Sequence, residues 1–180
     1  PRSTQGVSSA ASDVYKRQEL ESLFESLIKY SNEEINFKPN IKKWSIGEHM
    51  YHLWLSETSI EKYIRKKTSY PETLVKVSRF SRIRLALLNF IFFIGIKFKA
   101  PKIVVDPIPK NVDLVLLKKD WVQSRKTFNS LIESLDITVL NKAILRHPIS
   151  GRINMNMTLN FLIYHFNHHK KIIHKLENKL

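Results

Sequence analysis

Four of the seven histidines fall within ten residues near the end of the chain, at positions 165, 168, 169 and 174. The segment NFLIYHFNHHKKIIHKL reads as an amphipathic helix. Its inward stripe is Leu162, His165, His169, Ile172 and Leu176, at spacings of 3, 4, 3 and 4. Two of the five stripe positions are therefore imidazoles. Residues four apart on a helix have their Cβ atoms about 6 Å apart, close enough for both rings to reach one metal ion. Neutral imidazole is also the commonest metal ligand. The plain alternative is a core histidine pair whose ring nitrogens find protein partners, because a buried imidazole without them is costly. A metal site needs a third ligand. His49, His52, His147, Glu48 and Glu57 are the candidates, and the spacing leaves both readings open.

The absence of cysteine narrows the chemistry. It excludes disulfides, thiolate ligands and a cysteine nucleophile, so any metal has nitrogen and oxygen donors. No serine, histidine and acid triad stands out, and no Gly-rich phosphate loop is present. A general base would come from Glu48, His49, Glu57 or a hydroxide bound to the metal itself.

The elements that must position these side chains are helical. The chain has 180 residues, 43% of them apolar, and only four glycines. That bounds it to one domain with a real core and points to an all-α fold. ELESLFESLIKYSNEEI carries Leu20, Leu23, Phe24 and Leu27 on one face. WSIGEHMYHLWLSETSIEKYIRKK opens with Ser45 as N-cap and Glu48 three residues on, a capping box. Ile46, Met50, Leu53, Ile60 and Ile64 recur behind it at helical spacing, with His49 and His52 on the stripe edges. The apolar run from Leu85 to Ile96 is too short to span a bilayer, which takes about 20 residues. It is expected to be a helix buried on most sides. A basic interfacial helix is the second reading, because Arg79, Arg82, Arg84, Lys97 and Lys99 flank it.

KAPKIVVDPIPKN is expected to be an extended Pro-rich crossover, with Asn111 capping the next helix. That helix turns Leu114, Leu117, Trp121, Ser124, Phe128 and Leu131 or Ile132 inward. DITVLNKAILRHPISGRINMN reads as a connection with one helical turn, and the last helix is expected to begin near Asn156 or Thr158. A helical bundle buries such faces most simply. His49 is expected at the bundle edge, His168 facing out or at a pocket mouth, His174 in solvent, and His147 shaping the turn before Pro148.

Residues 1–18, PRSTQGVSSAASDVYKRQ, resemble a translated sequencing adapter and are set apart as a non-native or disordered extension; residues 19–180 form the domain. The formal charge is +14, and +12 without Arg2, Lys16, Arg17 and Asp13. Such a balance suits nucleic acid, an anionic membrane surface or an anionic substrate, though the basic residues are spread along the chain. A cytoplasmic setting fits the lack of cysteine.

WSIGEHMYHL, followed about a hundred residues later by HPISGRINMNMTLNFLIYHFNHHKKIIHKL, resembles the DinB/YfiT-like metalloenzyme superfamily over residues 19–180. The resemblance implies a DinB-like four-helix bundle with one divalent metal held by three histidines. They map to His52, His165 and His169. The implied metal is zinc or nickel, with iron or manganese as further possibilities. It would activate a water or a low-molecular-weight thiol, as in the family's bacillithiol transferases and mycothiol-dependent isomerases. The implied activity is hydrolase or thiol S-transferase on a small-molecule substrate, in a chain that pairs as a homodimer. Two features depart from the family pattern: Lys170 and Lys171 stand where relatives often carry glutamine and isoleucine, and Phe166 where an acid is common. A basic non-enzymatic binding module for nucleic acid or an anionic membrane is the alternative function, and a family member that has lost its metal is a third.

Overall fold

The computed structural model describes residues 18–94 and 108–180. The Pro-rich crossover therefore lies largely outside the described residues, as does the extension up to residue 17. Gln18 is already helical.

Helix α1 spans 18–27 and is followed by a short α2, Asn32–Asn36. The long helices are α3 (Ile46–Thr68), α4 (Arg79–Ile94), α5 (Leu114–Ser134) and α7 (Met155–Glu177), with a one-turn α6 (Ile137–Leu140) between the last two. The architecture is an all-α bundle of α1, α3, α5 and α7, as the sequence led us to expect.

One half of its core joins Leu20, Leu23, Phe24 and Leu27 of α1 to Met50 and Leu53 of α3, Leu117 and Trp121 of α5, and Phe166 and Ile173 of α7. The other half joins Ile64 of α3, Leu85 and Leu88 of α4, and Phe128 of α5 to Leu159 and Leu162 of α7. Each fully buried large apolar side chain contributes roughly 1.5–3 kcal/mol, so these two clusters dominate the stability. Phe24 meets Trp121 edge-on, with ring centroids 5.9 Å apart.

The capping box of α3 forms as its sequence dictates. Ser45 Oγ accepts from the Glu48 amide at 3.1 Å, and the Glu48 carboxylate accepts from the Ser45 amide at 2.8 Å. Gly47 in that first turn allows a close approach. A Cβ there would stand 2.9 Å from Asn36 Oδ1 and 3.0 Å from Val112 Cβ. Asn36 is held there by bonds to both backbone groups of Val112.

Several boundaries and faces differ from expectation. Asp113, not Asn111, caps α5, accepting from the amides of Val115 and Leu116. Asn154 caps α7, which starts at Met155, ahead of Asn156 and Thr158. The inward seam of α7 passes through Ile173 rather than Ile172, because the helix drifts relative to a strict heptad. The connection before α7 holds a two-stranded antiparallel hairpin, β1 (Leu145–His147) against β2 (Gly151–Ile153), besides the helical turn. Gly151 closes it at φ 76°, the left-handed region that glycine enters freely.

The largest correction concerns α4. It is not buried on most sides. Ser81, Leu85 and Leu88 face the bundle, while Phe80, Ile83, Leu87, Phe90, Phe93 and Ile94 are exposed. The space inside the bundle is already filled by the other four helices and the hairpin, so among the described residues only one side of α4 finds a partner.

Candidate metal centre

The first three turns of α3 carry His49 and His52, and the middle of α7 carries His165 and His169. The packing of α3 on α7 brings all four rings into one buried cluster. His52 Nε2 and His165 Nε2 face each other at 3.2 Å. The rings of His165 and His169 lie 4.7 Å apart, and those of His52 and His169 lie 4.9 Å apart, centroid to centroid. One ligand nitrogen from each of His52, His165 and His169 lies within 4.8 Å of the other two.

This donor set fits a metal ion. Two nitrogens bound to one tetrahedral ion at about 2.0–2.1 Å sit about 3.3 Å apart, close to the separation of the two Nε2 atoms. Three neutral imidazoles suit zinc, nickel, copper or iron. Burial keeps two of them, His165 and His169, neutral. The pKa values of His165 and His169 are pushed well below the usual 6.5, first by loss of solvent and then by neighbouring histidines. Their lone pairs are thus available at neutral pH.

His49 is a correction to the sequence reading. It is not an edge residue but belongs to the cluster, with its Nδ1 2.9 Å from His169 Nδ1. Burial, then the charges of His52 and His168, lower its pKa to about 3. Trp44 closes the cluster from the loop before α3. Its indole lies 5.3 Å from the ring of His49 and 5.0 Å from that of His52, and stacks on His169 at 20°. In the sequence Trp44 stands just before the Ser45 cap, and nothing there shows that it packs on imidazoles.

The two carboxylates named as possible bases have other engagements. Glu48 caps its own helix and pairs with Lys38 Nζ at 2.6 Å. Glu57 accepts from Trp121 Nε1 at 2.7 Å and forms a fork with Arg125, whose Nη2 and Nε lie 2.7 and 3.0 Å from its two oxygens. Beside that fork runs a cleft of about 180 Å³, with Leu20, Phe128, Leu159 and Leu162 among its walls. The cluster histidines do not line it.

The other histidines have local roles. His168 is partly buried against the ring of His169. His174 is exposed and bonds to Glu177 on its own helix. His147 shapes the connection before α7, as expected, and does so by holding the unexpected hairpin: its Nδ1 accepts from the amides of Ile149 and Ser150 at 3.2 and 3.1 Å, and its ring packs on Phe161.

With this geometry in view, comparison with known proteins is decisive on kinship. The family model described as the DinB superfamily matches residues 14–173. The chain belongs to the DinB superfamily. No curated protein and no solved structure matches it. The two departures from the DinB pattern have structural explanations. Phe166 fills the core against Trp121, with ring centroids 6.4 Å apart, and Arg125 lies over its face. Lys170 ties α7 to Glu19 on α1, and Lys171 lies over the ring of Phe93 on α4. Both lysines thus tie α7 to its neighbouring helices.

Proposed function

We propose that this DinB-superfamily chain is a divalent-metal-dependent enzyme in which His52, His165 and His169 hold one ion. Zinc or nickel is the preferred metal, with iron or manganese next. The reaction is hydrolysis or thiol S-transfer on a small-molecule electrophile, with water or a low-molecular-weight thiol as nucleophile. The observation that carries this reading is the facing pair of Nε2 atoms on His52 and His165, buried together with His169. When bound, the ion would supply Lewis-acid chemistry that lowers the pKa of a water or thiol into the physiological range.

The protein's own side chains set the conditions for that chemistry. Burial keeps His165 and His169 deprotonated at their ligating nitrogens. His49 receives or gives the single proton it shares with His169 Nδ1 and so fixes the orientation of that ring. A group whose pKa is lowered to about 3 is a weak base at neutral pH, so His49 serves positioning better than proton abstraction. Trp44 shields the cluster from bulk water on the loop side. Homodimer formation is part of this reading.

Elemental analysis of the purified wild type beside His165→Ala tests it. About one metal per chain, absent from the variant, supports the proposal and directs substrate screening to thiol transfer and hydrolysis. No metal in the wild type after incubation with zinc or nickel would reduce the histidines to core packing.

A further inference from the structure

The exposed side of α4 is an ordered surface rather than a scatter of apolar residues. Phe80, Ile83, Leu87, Phe90 and Ile94 follow one another at spacings of 3, 4, 3 and 4, and each is between 49% and 72% exposed. At about 100° per residue these five fall within a stripe roughly 80° wide, directed away from Ser81, Leu85 and Leu88. Arg84 borders the stripe on one side and Arg79 on the other, with Arg82 further round, and all three are exposed. Among the described residues none of the three is ion-paired. Lys171 of α7 adds a fourth cation at the edge, over the ring of Phe93. Patches of this kind mark interaction sites.

The charge around the stripe says what it meets. Residues 73–94 contain no acidic side chain and four basic ones. A second copy of the chain packed through the same stripe would set arginines against arginines in either orientation, since the helix offers no acid to receive them. A nucleic acid would use the cations and leave the phenylalanine-rich stripe in water. An anionic lipid surface takes both parts at once. Apolar side chains enter the acyl boundary while arginines stay at the phosphates. No helix among the described residues is long and apolar enough to cross a membrane, so contact would be peripheral.

We propose that α4 docks this protein in the plane of an anionic bilayer, through Phe80, Ile83, Leu87, Phe90 and Ile94 with Arg79 and Arg84 as the charged border. The inference is independent of the metal reading.

Vesicle co-sedimentation tests it, using the full chain with vesicles of phosphatidylcholine alone or mixed equally with phosphatidylglycerol. The wild type should bind the mixed vesicles and not the neutral ones. Binding should fall steeply as salt rises toward about 500 mM, where screening shortens to a few Å. Arg79→Gln with Arg84→Gln should weaken partitioning roughly 25-fold, about fivefold per charge. Leu87→Gln with Phe90→Gln should weaken it by more than tenfold while leaving the circular dichroism spectrum unchanged, since both side chains are already exposed. No binding to the mixed vesicles at low salt would overturn the proposal, as would binding undiminished in the Leu87/Phe90 variant. A dimeric wild type that becomes monomeric in that variant would assign the stripe to a second copy instead.

Discussion

His49 Nδ1 lies 2.9 Å from His169 Nδ1, across 120 residues of sequence and between two helices. Two such nitrogens at this distance share one proton. A ring that donates or accepts at Nδ1 presents Nε2 in a fixed direction, so His49 orients His169 without being needed as a ligand. Replacing His49 with phenylalanine should weaken metal binding 10- to 100-fold, whereas His52→Ala should abolish it. Competition with a chromophoric chelator measures both. Equal affinity in His49→Phe and wild type would remove the positioning role.

Metal binding should also appear as stability. An ion that binds only the folded chain adds about 2.7 kcal/mol at a free concentration 100 times its Kd. For a chain of this length that raises the melting temperature by about 5–10 °C. Zinc or nickel should produce the shift in the wild type and chelator should reverse it. His169→Ala should melt at one temperature in both. A shift of equal size in His169→Ala would place the ion somewhere other than this cluster.

How far the sequence reveals these features follows from the range of the interactions involved. The capping box of Ser45 and Glu48 is local, and it forms as read. The inward faces of α1 and α5 are also legible, because one helical period decides which side is apolar. The pairing of His49 with His169 is not, because the periodicity of α3 places His49 at the stripe edge and only the packing of α7 supplies its partner. The same limit applies to α4: its apolar residues are visible in the sequence, but not that the bundle leaves one side of the helix uncovered. The hairpin at His147 escapes because strands of three residues carry no usable period, and its turn depends on an imidazole accepting two amides.

Glu57 and Arg125 form a mostly buried pair with Trp121 donating to the same carboxylate. Removing one partner leaves the other charge buried and uncompensated. Glu57→Gln should therefore cost about 3–5 kcal/mol in urea unfolding. Replacing both, with Glu57→Gln and Arg125→Met, should recover part of that loss. Metal content should be unchanged in the single variant, since this carboxylate is engaged by Arg125 and Trp121. A stable Glu57→Gln protein that binds no metal would move Glu57 from scaffold to site.

The hairpin gives the fold a measurable response to acid. His147 is buried, and loss of solvent lowers its pKa from 6.5 to about 4. The unfolded imidazole takes its proton near pH 6.5 and the folded one only near pH 4. Between those values the unfolded chain holds more protons, so stability falls as pH falls. The contribution is intact above pH 6.5 and gone below pH 4, and it amounts to at most about 3 kcal/mol. Protonation also removes the Nδ1 lone pair that accepts from Ile149 and Ser150. His147→Asn keeps a side-chain acceptor near the turn but does not titrate. Its urea midpoint should therefore decline less than that of the wild type between pH 6.5 and 4, with His49, His165 and His169 supplying the remaining slope in both proteins. Identical slopes would mean that His147 carries the same proton folded and unfolded.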